Sequence, residues 1–279
     1  MSTLCRAQIK KDTALEITGK TKIFYMIAHP IDHVRSPEVF NPWFRENAVD
    51  AVMIPVHYRP DDFEAVWDSL RHTANLGGFM VSVPHKEKAY QLCDEHHETA
   101  ELVTAVNAVR RDEHGRLTGA NFDGPGFMAG VLAGPHEVSG KSVLLVGAGG
   151  AGASIGFQVA KAGAERITIS DLNTSRATEL ADRILARFPK VNVRLGSIDP
   201  KGHDIVVNAT PCGLHPETDS IPVELDNISS DMIIADIIMK PRVTPLLAAA
   251  KEIGCDVRYG GGMLDMQRDL TLKFYGLKI

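Results

Sequence analysis

Two side chains in the first half of the chain have the chemistry of a proton-transfer pair. Lys86 follows an apolar stretch and a proline in "FMVSVPHKEKAY", at the expected start of a helix. Asp123 lies in the glycine-rich stretch "GANFDGPGF". A lysine and a carboxylate that meet in a cleft can exchange a proton with a reacting hydroxyl. Read alone, Lys86 is more typical of a solvated surface lysine, and Asp123 of a turn residue before glycine.

A proline-rich loop supplies a hydroxyl. The stretch "AHPIDHVRSPEVFNP" at 28–42 contains a single serine, Ser36, directly before Pro37. Ser36 could simply begin a helix, since its side chain can accept from first-turn amides and proline suits the next position. It could instead bind a small polar ligand, and the local sequence leaves both alternatives open.

The strongest local motif is a glycine turn in "VLLVGAGGAGASIGFQVAKAG". Gly147, Gly149 and Gly152 form G-x-G-x-x-G between an apolar strand and a helix, the context that a dinucleotide-binding turn requires. Glycine lets the backbone approach a pyrophosphate, which the helix amides and dipole then hold. The motif predicts a Rossmann domain.

The choice between NAD and NADP depends on the residues after the next strand. Asp171 follows the turn by about 20 residues, where a carboxylate can accept from both ribose hydroxyls and repel a 2'-phosphate. Leu172 offers no charge for that phosphate. The sequence therefore favours NAD, with NADP possible because of Arg176; Asp171 could alternatively be a turn or capping aspartate.

A nicotinamide cofactor implies hydride transfer, and the cofactor supplies that chemistry. The protein must then provide a proton acceptor and substrate recognition in a cleft between domains. Lys86 and Asp123 are the candidates for the proton.

Strands and helices alternate along the chain, which predicts an α/β fold with parallel sheets. Helices are expected in between, including one whose apolar stripe makes Trp67 a core residue. The predicted strands are 22–28, 51–57, 79–83, 105–111, 141–147, 166–170, 191–195, 204–210, 232–238 and 256–259.

Composition excludes several classes of function. The 279 residues are 44% hydrophobic and 23% charged, with a net charge of -5, which argues against nucleic-acid and anionic-membrane surfaces. The four cysteines form no C-x-x-C pair, and His96 and His97, expected on an acidic surface helix, suggest no metal site. Without a membrane-length apolar stretch or a signal-like N-terminus, a cytoplasmic protein is the expectation.

Taken together, the motifs resemble those of the shikimate dehydrogenase family, which includes quinate/shikimate dehydrogenases. The similarity covers nearly the whole chain. The motifs that carry it occur in family order: "HPIDHVRSP", "VSVPHK", "AVNAV", "NFDG", "GAGGAGASI", "NATPCGL", "DIIMKP" with "TPLL", and "GGGMLDMQ".

The resemblance implies a two-domain α/β protein. Residues 1–122 with 263–279 would form the substrate-binding catalytic domain, and 123–262 the Rossmann domain, with a C-terminal helix returning to the first. It implies that Lys86 and Asp123 meet as a catalytic pair, although which of them is the base stays open. The implied substrate-binding residues are Ser36, Ser82, Asn107 and Gln267, with Val34 and Phe122 at altered positions. The implied cofactor-binding residues are Gly147, Gly149, Gly150, Ala151, Gly152, Asp171, Asn208, Thr210 and Gly260.

Substrate recognition departs from the family pattern. Val34 stands where the family has a second serine for the carboxylate, and Met80, Phe122 and Met239 also replace polar residues. Arg35, His29 and His33 are the possible substitutes, unless Arg35 points to solvent. Each unreplaced hydrogen bond to a charged ligand costs about 1.5 to 3 kcal/mol of binding.

These observations predict an NAD-preferring dehydrogenase acting on shikimate or a close cyclic hydroxy acid, as a monomer or a homodimer. A quinate-type or otherwise diverged enzyme that turns over shikimate poorly is the first alternative. A non-catalytic NAD-binding regulator is the second, and retention of both Lys86 and Asp123 speaks against it.

Overall fold

The described part of the chain folds around two six-stranded sheets. A computed structural model describes residues 16–32, 34–132, 134 and 137–279. The first sheet has the order β2-β1-β3-β5-β6-β4. Its strands are β1 (Lys22–Ala28), β2 (Ala51–His57), β3 (Leu76–Val81), β4 (Glu95–His96), β5 (Ala108–Arg111) and β6 (Leu117–Ala120).

The first sheet is mixed, so the expectation of a parallel sheet is wrong here. β5 pairs antiparallel with both β3 and β6. The segment 112–116 between β5 and β6 is too short for a helical crossover and makes a turn instead. Asp112 holds this turn by accepting from the amides of His114 and Arg116, and Gly115 has a φ of 83°.

The second sheet is parallel throughout, with the order β12-β11-β10-β7-β8-β9. This is the doubly wound Rossmann order, and it confirms the predicted fold class. Its crevice lies at the carboxyl ends of β7 and β10, where the order reverses. The strands are β7 (Ser142–Val146), β8 (Arg166–Ser170), β9 (Asn192–Leu195), β10 (Ile205–Asn208), β11 (Ile233–Asp236) and β12 (Asp256–Arg258).

Helices cover the sheets. They are α1 (Ser36–Glu46), α2 (Pro60–His72), α3 (Lys86–Leu92), α4 (Glu98–Val103), α5 (Asp123–Gly130), α6 (Gly150–Lys161), α7 (Thr174–Arg187), α8 (Pro245–Ile253) and α9 (Gly261–Phe274). Alternation along β1 buries both faces of the first sheet: Phe24 and Met26 pack with α1 and α9, and Ile27 packs with α2 and α3. Trp67 is buried against Phe79, as predicted.

Three helices join the two sheets. α5 packs against both α6 and α9, and glycines lie where the helices are closest. A Cβ on Gly124 would collide with the carbonyl of Ser154, and one on Gly130 with the carbonyl of Gly262. α9 returns to the first sheet, where Tyr275 at its end stacks on Phe24 at 5.0 Å.

The structure changes the expectation for the two adjacent histidines. His96 and His97 do not lie in a helix: His96 belongs to β4, and the His97 ring caps α4 by accepting from the amide of Thr99. The domain limits stay a prediction, although the strands of the first sheet all lie within 22–120 and those of the second within 142–258. In the described part of the chain, every helix is too short or too polar to span a bilayer.

Candidate active site

Lys86 and Asp123 meet at the junction of the two sheets. Each is the first residue of its helix, α3 and α5 respectively. Lys86 Nζ donates to Asp123 Oδ2 at 2.6 Å, and their side chains are only 15% and 6% exposed. The lysine is therefore a partly buried, paired group, and the surface interpretation of its local sequence is wrong.

The other carboxylate oxygen of Asp123 is held by two amides. Asn107 Nδ2 donates to Oδ1 at 2.8 Å, and Gln267 Nε2 donates to it at 2.7 Å. Asn107 is itself fixed, since its Oδ1 accepts from the amide of Phe122. Gln267 comes from α9, 144 residues away in sequence, so the returning helix completes the cluster.

The cluster lines a cavity of about 180 Å³ between the two sheets. Strands of the first sheet, the loop after β11 and helix α9 enclose it. Its polar lining residues are Arg35, Ser36, Ser82, Lys86, Asn107, Asp123 and Gln267. Its apolar lining residues are Met26, Val34, Met80, Val81, Ala151, Ile237, Met239, Met263 and Leu264.

The proline-rich loop brings Val34, Arg35 and Ser36 to this cavity. α1 begins at Ser36 with Pro37 next, as the first alternative predicted, but no side chain caps this helix. The buried Ser36 lines the cavity instead. Arg35 lines the cavity while its Nε donates to Glu38 Oε2 at 3.0 Å, with the two side chains 39% and 63% exposed.

Other expected substrate residues lie elsewhere. Phe122 does not line the cavity, because its ring packs against Phe274 with centroids 5.6 Å apart. His29 Nδ1 lies 2.7 Å from His57 Nε2, and His29 is likewise absent from the cavity wall. His33 lies outside the described residues.

The glycine turn has the form that a dinucleotide requires. Gly147 has a φ of 101°, and a Cβ on Gly152 would collide with the carbonyl of Gly147. Gly149 faces open space, and a Cβ on Gly150 would meet only Lys86 Cδ, at 3.7 Å. The first amides of α6 have no intrahelical partner, so this end of the helix can hold a pyrophosphate.

A second cavity of about 530 Å³ lies beside the turn. It is lined by Gly149 and Gly150 and, from α7, by Arg176 and Arg183. Ala151 lines the smaller cavity instead, so the start of α6 touches both spaces. The residues present therefore fit a dinucleotide that reaches from the larger cavity toward Lys86.

Asp171 supports the turn from the end of β8. Its Oδ2 accepts from the amide of Ala148 and its Oδ1 from the amide of Asn173, both at 2.7 Å. The turn role considered for Asp171 is therefore realised. A carboxylate has about four acceptor sites, which leaves capacity for a ribose. The neighbouring Leu172 is fully exposed.

Three other predicted cofactor residues, Asn208, Thr210 and Gly260, line neither cavity and instead hold the neighbouring loops and the start of α9. Asn208 Nδ2 donates to Asp236 Oδ2 at 3.1 Å, and Asn208 Oδ1 accepts from Thr210 Oγ1 at 2.7 Å. Gly260 lets α9 begin against the backbone of Ile237, where a Cβ would collide. Their role in binding the cofactor stays a prediction.

Sequence reasoning missed Asp236, which is completely buried. It also accepts from Thr244 Oγ1 at 2.8 Å and so fixes the loop that carries Met239. Burial raises the pKa of its carboxyl. An acidic residue at the end of an apolar strand, as in "MIIAD", was the available signal.

Ser154 and Asn121 were missed as well. Ser154 Oγ accepts from the amide of Gly124 at 2.8 Å and donates to Asn121 Oδ1 at 2.9 Å. Asn121 Oδ1 also accepts from the amide of Asp123 at 3.1 Å. The three bonds tie the start of α5, and with it Asp123, to the helix that follows the glycine turn.

Comparison with known proteins gives consistent results. Residues 26–109 match the family model described as the shikimate dehydrogenase substrate binding domain. A shikimate dehydrogenase (NADP(+)) from Methanopyrus kandleri is 32% identical, covering 94% of this chain and 92% of the relative.

Two solved structures share the fold. A shikimate dehydrogenase in complex with NADP+ superposes with a TM-score of 0.87 at 30% identity, over 94% of this chain and 93% of the other. The Listeria monocytogenes shikimate 5-dehydrogenase in complex with shikimate and NAD gives 0.84 at 30% identity, over 93% of each chain.

These names favour NADP over the NAD predicted from Asp171, although the Listeria monocytogenes structure holds NAD. The similarity to these relatives extends over both sheets of the chain. The chain therefore belongs to the shikimate dehydrogenase family and is a nicotinamide-nucleotide oxidoreductase of the class that acts on CH–OH groups.

Proposed function

We propose that the chain interconverts 3-dehydroshikimate and shikimate, or a close cyclic hydroxy acid, with the Lys86–Asp123 pair handling the proton. The observation that carries this proposal is the 2.6 Å contact of the pair in the wall of a small cavity. Lys86 Cδ also lies 3.7 Å from the point where a Cβ on Gly150 would stand, so the pair adjoins the dinucleotide turn.

The proposed proton path uses residues that are already in contact. A bound nicotinamide supplies the hydride chemistry. As the carbonyl forms, the hydroxyl proton must leave, and Lys86 Nζ is the group that binds this hydroxyl and accepts or passes on the proton. Asp123 orients the lysine, and it is held for that task by Asn107 and Gln267. General acid–base catalysis of this kind contributes about 10²- to 10⁴-fold to a rate.

Recognition of the ring would use the remaining polar residues of the cavity. Ser36 and Ser82 can donate to or accept from a hydroxyl or carboxylate. Asn107 and Gln267 direct their N–H groups at Asp123. Their part in substrate binding is therefore mainly to shape the reacting end of the site.

For the cofactor we propose a preference for NAD. Asp171 presents a carboxylate where a 2'-phosphate would lie, and Leu172 adds no compensating charge. Two observations oppose this preference. Arg176, a cation that could bind the 2'-phosphate, lines the larger cavity, and the names of the relatives specify NADP. Asp171 is fixed by two backbone amides, so it cannot swing away from a phosphate without losing both bonds.

The test is reduction of each dinucleotide by the purified protein with shikimate or quinate. We expect absorbance of the reduced cofactor to appear with at least one cyclic hydroxy acid, and a higher kcat/KM for NAD than for NADP. Tight dinucleotide binding without turnover of any such acid would contradict the enzymatic proposal. A higher kcat/KM for NADP would contradict only the cofactor preference.

A further inference from the structure

Part of the small cavity has an unusually apolar wall. Met26, Val34 and Met80 belong to or pack against one buried cluster that also holds Phe24 and Phe44. Further apolar lining comes from Met239 and Met263. A thioether accepts hydrogen bonds only weakly, so this wall offers little to a hydroxyl.

The polar groups of the cavity are mostly occupied with each other. Lys86, Asn107 and Gln267 all donate to Asp123. A ring hydroxyl placed on the methionine wall would lose its hydrogen bonds to water without replacement. Such a loss lowers affinity roughly tenfold per hydroxyl. A ring edge made of CH groups would instead pack favourably on the thioethers.

Arg35 brings a positive charge to the cavity wall, while its ion-pair partner Glu38 is not part of that wall. Lys86 is neutralised by Asp123, whereas the one side-chain partner of Arg35 within the described residues is the more exposed Glu38. That bond uses Nε, which leaves the two Nη groups for a second acceptor. A guanidinium binds a carboxylate through two parallel bonds, and Ser36 beside it can add a third.

The size of the cavity suits a small ligand. A volume of about 180 Å³ is enough for a single substituted ring.

We propose that this site takes a single-ring hydroxy acid whose ring edge away from the reacting carbinol carries no hydroxyls. Its carboxylate lies on Arg35, and its hydrocarbon edge lies on Met26, Met80 and Val34. The inference rests on the proposed function of the same cavity, and it makes shikimate, with its additional hydroxyls, a poor substrate.

The experiment compares shikimate with 3-hydroxycyclohex-1-ene-1-carboxylate, which is shikimate with its two non-reacting hydroxyls replaced by hydrogen. Calorimetry on the full chain saturated with NADH, which cannot oxidise the acid, measures binding directly, and reduction of NAD measures kcat/KM. We expect the deoxy acid to bind at least tenfold more tightly than shikimate. Equal or tighter binding of shikimate, or no binding of either acid, would overturn the inference.

A variant tests the carboxylate contact. Arg35→Met should weaken binding of the deoxy acid at least tenfold and leave binding of its neutral methyl ester unchanged. Arg45→Met, in the last turn of α1, the helix that follows Arg35, is the matched control and should change neither. An unchanged affinity of Arg35→Met for the acid would refute the role of Arg35. Because binding is read without turnover, an inactive protein with these affinities would contradict the proposed function and leave the inference standing.

Discussion

Removing the Ser154 hydroxyl should destabilise the protein measurably. Ser154 and Asn121 are 2% and 0% exposed, and the serine bridges Asn121 Oδ1 and the amide of Gly124. In Ser154→Ala the Gly124 amide keeps its burial and loses its acceptor. A buried donor without a partner costs about 1 to 3 kcal/mol. For a chain of this size each kcal/mol lowers Tm by roughly 2 to 4 °C.

Urea unfolding followed by circular dichroism measures this cost, and Ser69→Ala, at an exposed position of α2, is the control. We expect the free energy of unfolding to fall by about 1 to 3 kcal/mol in Ser154→Ala and by less than about 0.5 in the control. We also expect a several-fold lower kcat, because the bridge positions Asp123. Equal unfolding free energies for Ser154→Ala and the wild type would refute the assignment of this bridge.

Three further predictions concern the cavity, the cofactor and pH. Val34→Ser should raise kcat/KM for shikimate about tenfold by restoring one hydrogen bond to the ligand; no change in steady-state kinetics would mean that the ligand does not contact position 34. Replacing Asp171 by Ser together with Leu172→Arg should shift the ratio of kcat/KM for NAD over NADP at least tenfold toward NADP, and an unchanged ratio would contradict the role of Asp171. Burial lowers the pKa of His203, whose Nε2 lies 2.7 Å from Thr168 Oγ1. Unfolding therefore takes up a proton below the usual histidine pKa of about 6.5. The stability that neutral His203 contributes above that pH is lost as pH falls through the lowered pKa of the folded state. The loss of unfolding free energy between pH 7 and pH 5 should therefore be smaller in His203→Gln, and an equal loss in urea titrations would contradict this assignment.

The second sheet was predictable because its strands have a clear sequence signal. β7, β10 and β11 are apolar apart from one polar residue at an end of each, as is typical of buried parallel strands, and the glycine turn marks the start of α6. The hairpin of β5 and β6 was not predicted as antiparallel. β6 is only "LTGA", four residues that include glycine and alanine, and such a segment carries little β signal.

The contact between Lys86 and Asp123 was predictable only from the ordered motifs. Its local sequence suggested a surface lysine, because nothing near Lys86 in the chain reveals that α5 and α9 will cover it. Gln267 reaches Asp123 across 144 residues, a distance over which periodicity carries no information. The motif series supplied the missing long-range relation.

Side-chain direction was the least predictable feature. Phe122 is adjacent to Asp123, yet its ring packs on Phe274 and does not line the cavity. Arg35 could face solvent or cavity on sequence grounds, and it lines the cavity while bound to Glu38. Both outcomes depend on packing between elements distant in the chain.

The most direct test of the central claim is the kinetics of Lys86→Ala beside Lys88→Ala. Lys88 lies on the same helix but pairs with the exposed Glu64, so its loss should leave kcat nearly unchanged. We expect Lys86→Ala to lower kcat by about 10²- to 10⁴-fold while the Kd for NAD stays the same. Wild-type turnover in Lys86→Ala would contradict the assignment of the Lys86–Asp123 pair as the proton-transfer site.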